Sequence, residues 1–248
     1  MAEHKFPSEV IDLPSEGKLY PEGHPCSNGK IEIKYMTAKE EDILTSTNLI
    51  KKGVVIDRLL DSLILTEGIK SDGLLIGDKN AVMVAARVLA YGPEYSCQVT
   101  DPKTGDILSH TFNLADCPFK KLPKDVKENL FEITLPISKK KIKFSILTGK
   151  DEALIEKDLQ ASKKLGTVAP ELTTRLRYLI KEVDGDSSQS AINETAINML
   201  ARDSMFLREE IQRVSPDIEL VQEIEVEGDT VKVDIPMTVN FFWPNAWR

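Results

Sequence analysis

Apolar and polar residues divide this chain into short alternating stretches and longer helical ones. In "GKIEIKYMT", residues 29–37, Ile31, Ile33 and Tyr35 alternate with other residues in the period-two pattern of a strand. Thr37 and Glu40 then form a Thr-x-x-Glu pattern, in which hydroxyl and carboxylate each satisfy a backbone N–H of the first helical turn. The spacing predicts a helix running to about residue 48. Apolar residues at 55, 56, 59, 60, 63 and 64 recur with helical spacing and predict one strongly buried face over 54–65. A further helix is predicted over 79–91, with Asp78 as its cap and Gly92 closing it.

The second half begins with another alternation. Phe131, Ile133, Leu135 and Ile137 alternate in "LFEITLPI", as do Ile142, Phe144 and Ile146 in "KIKFSIL", and the Lys-rich link between them predicts a hairpin. Helices are predicted over 151–165 and 170–183, the second opened by Pro170, whose fixed φ suits a first helical position, and followed by a break at Gly185. The longest helix is predicted over 191–214, with Ile192, Ala196, Met199, Leu200, Leu207, Ile211 and Val214 on one stripe and Pro216 as its stop. A last hairpin turns at Glu227, Gly228 and Asp229. At the other end, "FPSEVIDLPSEGKLYPEG" sets Phe6, Val10, Ile11, Leu13, Leu19 and Tyr20 between turn formers, the pattern of an extended arm lying across its own domain or a neighbour.

These elements imply an α+β fold, with helices packed against several antiparallel β-hairpins, including ribbon-like hairpins that lack zinc ligands. The expected organisation is an arm at 1–28, a strand and helices at 29–94, a degenerate zinc-ribbon-like hairpin at 95–119, a hairpin and helices at 130–218, and a C-terminal hairpin with an aromatic tail at 219–248. Together they are expected to make one compact body.

Composition narrows the functional classes. With 41% hydrophobic and 29% charged residues among 248, the chain can bury a core, which sets disorder aside. A net charge of −8 disfavours polyanionic partners such as nucleic acid and anionic membrane surfaces. "SKKKIK", residues 138–143, is the one local basic run and reads as a solvated hairpin tip. There is no stretch of about 18 apolar residues and no secretory pattern at the start, so the cytoplasm is the expected compartment. Three widely spaced cysteines fit a reducing environment.

The candidate chemistry falls away under ligand counting. "YSCQVTDPKTGDILSHTFNLADCPF", residues 95–119, holds Cys97, His110 and Cys117, separated by twelve and six residues. A structural zinc ribbon takes four ligands in two close pairs. Asp101 and Thr104 stand where the cysteines of a knuckle would be, so the expected structure is a hairpin turned by Pro102 and Gly105 without metal. Cys26 and His24 lie in the arm. Asp184, Asp186 and Ser188 fit the first, third and fifth positions of a calcium loop, but Gln189 and Thr195 occupy its glycine and glutamate positions, which leaves a helix-capping turn as the reading. No phosphate loop, dinucleotide fingerprint or nucleophile elbow occurs. The histidines, His4, His24 and His110, have no nucleophile beside them in sequence, and Glu40 with Glu41 and Glu209 with Glu210 read as solvated helix faces. No catalytic, cofactor-binding or metal-binding residue is assigned, and the expectation is a protein that is not an enzyme. Phe241, Phe242, Trp243 and Trp247 crowd the last eight residues. Exposed aromatics anchor interfaces, so Leu13, Leu19, Tyr20, Phe241, Phe242, Trp243 and Trp247 are the candidate protein-contact residues, with Trp247 the best placed and Phe241 and Phe242 also able to close the chain's own core.

Several segments in order resemble the baseplate proteins of T4-type contractile-tailed bacteriophages, which include hub subunits and hub-assembly factors. They are "LPSEGKLYPEG" (13–23), "GKIEIKYMTAKEEDILT" (29–45), "IKKGVVIDRLLDSLI" (50–64), "NMLARDSMFLREEIQRVSPDI" (198–218) and "FFWP" (241–244). In such relatives Cys-x-x-Cys knuckles can occupy the places of "DPKTG" and "VEGDTV", and this sequence departs from them at both. The resemblance implies a non-enzymatic part in building the baseplate hub through contacts with other hub proteins, in the virion or in the infected cell's cytoplasm, with no nucleic-acid, membrane or small-molecule partner and no cofactor. The alternative reading is a zinc-ribbon-type nucleic-acid-binding module, suggested by the ribbon outline and the lysine run.

Overall fold

The first strand, β1 (Ser8–Asp12), doubles back through a loop to pair antiparallel with β2 (Lys30–Lys34), Val10 standing opposite Glu32. That loop closes on itself at two glycines. Gly17 (φ +77°) and Gly29 (φ +71°) lie in the left-handed region, and a Cβ on Gly17 would fall 2.4 Å from the Ser27 carbonyl oxygen, so no other residue fits. The N-terminal arm is therefore part of the chain's own sheet. These elements belong to a computed structural model describing residues 6–164, 170–226, 228–237 and 239–242.

Thr37 and Glu40 form the expected capping box at the start of α1 (Ala38–Thr45). The helix ends earlier than expected, because Ser46 turns to ψ 102° and a separate short helix, α2 (Thr47–Lys51), follows. In α3 (Val55–Leu63), Val55, Leu59, Leu60 and Leu63 are buried, as their spacing requires. α4 (Ile76–Tyr91) begins before the predicted start, with Leu75 in the cap position, and Gly92 (φ +84°) closes it. Asp78 consequently lies inside the first turn instead of capping it, and is fully buried.

The hairpins follow the alternation. β3 (Glu94–Thr100) pairs with β4 (Ile107–Asn113), and β5 (Phe131–Thr134) with β6 (Lys141–Phe144). After α5 (Gly149–Lys164) comes α6 (Glu171–Leu179), which stops before the predicted residue 183. Ile180 turns extended (ψ 131°) and opens β7 (Ile180–Val183), a third strand paired with β6 that buries Ile180 and Val183. The single helix predicted over 191–214 is two, α7 (Gln189–Asn198) and α8 (Ala201–Val214), because Met199 and Leu200 are extended at ψ 128° and 144°. Asp203, in the first turn of α8, accepts the backbone N–H groups of Ile137 (2.7 Å) and Ser138 (3.0 Å) at the β5–β6 turn, which ties the new helix start in place. β8 (Val221–Val226) and β9 (Asp229–Asp234) form the last hairpin, and a 3-10 turn at Val239–Phe242 follows. The result is α+β, with eight α-helices and four antiparallel sheets among the described residues. No described helix is long and apolar enough to cross a membrane.

Packing joins segments far apart in the chain. A first core gathers Leu13, Ile31, Ile33, Leu59, Leu60 and Val82 with Val231, Val233, Phe241 and Phe242 from the C-terminal end. A second core is built between Leu122 and Val214, with Leu19 and Leu75 as its contributions from the first half. A small third cluster holds Leu147, Ile155, Leu159 and Leu179. Each fully buried leucine or phenylalanine stabilises its core by about 1.5–3 kcal/mol. The chain leaves the first core and returns to it at one place. Phe119 bridges Ile218, the Lys120 N–H donates to the Asp217 carbonyl (2.9 Å), and the Glu219 N–H to that of Pro118 (2.7 Å). The start of α4 presses on this passage: a Cβ on Gly77 would lie 1.8 Å from the Pro216 carbonyl oxygen.

Candidate functional site

Of the predicted contact residues of the N-terminal arm, Tyr20 meets a buried carboxylate. Asp78 accepts the Ser15 backbone N–H (2.9 Å) and the Tyr20 hydroxyl (2.8 Å), and the same hydroxyl accepts the Leu75 N–H (3.1 Å). Burial raises the Asp78 pKa against the opposing pull of these hydrogen bonds, and burial with the Asp78 charge raises that of Tyr20. Leu13 and Leu19 are buried, and Tyr20 is half-buried with its ring stacked 4.5 Å from His24. The arm instead exposes Phe6 and Val10.

The C-terminal aromatics are also held inside. Phe241 meets Tyr95 edge-on at 5.0 Å and Phe242 at 5.4 Å, and both phenylalanines are fully buried. Arg87 holds this end by donating from Nε to the Phe241 carbonyl (3.0 Å) and from its other nitrogens to those of Gly92 and Glu94 (3.2 and 3.3 Å). Leu13, Leu19, Phe241 and Phe242 thus present almost no side-chain surface in this fold. Trp243 and Trp247 lie outside the described residues.

A second buried carboxylate, Glu40, is held by side-chain donors. Glu40 accepts from Lys34 Nζ (2.7 Å), Ser62 Oγ (2.7 Å) and the Thr37 hydroxyl (2.6 Å). Burial alone would raise its pKa, but these hydrogen bonds outweigh it and hold the carboxyl at about 2. Glu40 is therefore a buried structural anion and no solvated face.

At the ribbon-like hairpin, Cys97 faces His110 across the strands, while Cys117 is buried and accepts from Gln222 Nε2 at 3.7 Å. Asp101 accepts the Lys103 N–H (2.7 Å) and Thr104 Oγ1 the Asp106 N–H (3.2 Å), so the two knuckle positions shape the turn itself. The calcium-like residues behave alike: Asp184 accepts the Lys141 N–H, Asp186 the Ser188 N–H, and the Ser188 hydroxyl caps α7. Among the described residues, no three His, Cys, Asp or Glu side chains converge as metal ligands. In the lysine run, Lys143 pairs with Glu182 (2.7 Å) and Lys140 donates to Thr195 (3.3 Å).

Sequence reasoning missed a groove between α6, α7 and α8. Its volume is about 260 Å³, and it is lined mainly by Leu172, Leu176, Ile197, Met199, Ser204 and Arg208. Leu172 and Ile197 are 44% and 64% exposed, and Leu200 and Met205 beside it are 49% and 51% exposed. Ser204 is 5% exposed and its hydroxyl has no hydrogen-bond partner among the described residues. The available signal was the excess of apolar residues over 196–207, which reads as one helical stripe until the break at Met199 and Leu200 turns part of it outward.

A family model described as T4 bacteriophage base plate protein matches residues 7–134. No curated protein and no solved structure matches the chain. The matched segment carries the arm, the capping box, α3, α4 and the ribbon-like hairpin. It covers just over half of the 248 residues, and the chain belongs to the T4 bacteriophage base plate protein family.

Proposed function

We propose that this chain is a non-enzymatic component or assembly factor of the baseplate hub in a contractile-tailed bacteriophage, acting through contacts with other hub proteins. The observation that carries the reading is the family match across residues 7–134. The state of the buried ionisable groups supports it. Asp78, Glu40 and Asp203 each have their oxygens directed at backbone or side-chain donors that hold the fold together. The protein acts in the tail baseplate or in the infected cell while the tail is built. The tail residues Trp243 and Trp247 remain contact candidates, and replacing both with Ala should weaken hub incorporation of a folded protein.

The test is a phage carrying a stop codon early in this gene. Complete tails should fail to form, and normal numbers of complete tails would overturn the reading. Mass spectrometry of purified virions then separates a retained subunit, present at constant stoichiometry, from an assembly factor that leaves.

A further inference from the structure

We infer that the groove between α6, α7 and α8 seats an amphipathic helix of another baseplate protein, carrying a carboxylate that meets Arg208. The inference rests on the reading that this chain works through protein contacts, and it concerns residues outside the segment matched by the family model.

The groove has the shape and chemistry of a helix receptor. Along α8 its lining runs from Ala201 through Ser204 to Arg208. At 1.5 Å per residue that is about 10 Å, or two turns of a docked helix, enough for anchors at i, i+3 or i+4, and i+7. Leu172 and Ile197 flank it, while Leu200 and Met205 extend the apolar surface. Two exposed apolar side chains in the lining, with exposed Leu200 and Met205 next to lining residues along the chain, mark an interaction site, whereas single ones would not. The Ser204 hydroxyl supplies a second pointer. It lines the groove nine-tenths buried and unpaired, a group that a seated polar atom would satisfy.

Charge selects the occupant. Among the described residues Arg208 is the one ionisable group of the lining, and its sole hydrogen bond there goes from Nε to the Ser204 carbonyl (3.3 Å). A partner helix with an Asp or Glu beside its apolar stripe matches both the apolar lining and the free guanidinium.

The probe is a set of overlapping 20-residue fluorescent peptides covering the other baseplate proteins of the same phage, titrated by polarisation against the full chain. The expected binder has apolar residues at helical spacing and a neighbouring carboxylate. Ile197→Asp and Arg208→Glu should each weaken it about 10-fold or more, and exchanging the peptide's carboxylate for Arg should restore binding to Arg208→Glu. Both positions are exposed, and circular dichroism checks that each variant is folded. Absence of any binding peptide, or binding unchanged in both folded variants, overturns the inference. A dimer abolished by Ile197→Asp also overturns it by assigning the groove to a second copy. The stop-codon phage separates this from the function itself: if hubs require the protein yet Ile197→Asp and Arg208→Glu phage assemble normally, the groove assignment fails and the hub reading stands.

Discussion

The first and second cores differ in how they are closed. The first joins residues near both ends of the chain, Leu13 and Ile31 packing with Val231 and Phe241, and it encloses ionised or polar groups in matched sets, Lys34 with Glu40 and Asp78 with Tyr20. The second is almost contiguous, from Leu122 to Val214, and its buried Asp203 binds backbone N–H groups. Long-range closure makes the first core costlier to form, since chain ends must meet before its contacts are gained.

Hydrogen exchange resolved by region can break or sharpen this contrast. Phe241→Ala should have the largest effect, about 3–5 kcal/mol lost in denaturant unfolding, with faster exchange in β1 to α4 than in β5 to α8. Equal acceleration in both halves would show that the cores do not open separately.

Glu40→Gln should cost about 3 kcal/mol by leaving Lys34 buried without its counter-charge. It should also change the acid response. The Glu40 pKa is lower in the folded state, at about 2, than the ordinary carboxylate value near 4.3, so its contribution is complete above about pH 5 and fades as the pH falls towards 2. The variant loses that part of the acid dependence, as read by urea midpoints across this range. Asp78 has the opposite sign, because its raised pKa favours the folded state as acid protonates it, and Asp78→Asn should remove that counter-trend.

In the second core, Asp203→Asn should cost about 2 kcal/mol, since the amide nitrogen cannot accept from Ile137 or Ser138. Its faster exchange should be confined to β5, β6 and α8. The smallest effect reverses direction: Ser204→Ala should raise stability by about 1 kcal/mol by removing an unpaired buried hydroxyl. A loss in its place would mean that the hydroxyl is bonded in solution.

The sequence was most legible where local periodicity sufficed. Each predicted hairpin formed because alternation such as Ile142 and Phe144 selects a face without reference to distant residues. The helix break at Met199 and Leu200 left no mark, since the apolar stripe continues through it and neither Gly nor Pro is present. β7 was hidden likewise: Ile180 and Val183 suit a helix until β6 offers them an edge. Asp78 was misread as a cap because its partners Ser15 and Tyr20 are 63 and 58 residues away. The exposed groove was invisible for the same reason that Phe241 looked like a contact: apolar identity alone does not say which surface a side chain will face.

The paired passage at Phe119 and Ile218 makes residues 120–217 an excursion whose two roots are already fastened together. Closing a longer excursion adds only about 0.6 kcal/mol for each doubling of its length. Extra residues in its exposed loops therefore burden the host little, whereas replacing the whole excursion would uncover Leu19 and Leu75 and break the bridge between Leu75 and Thr148.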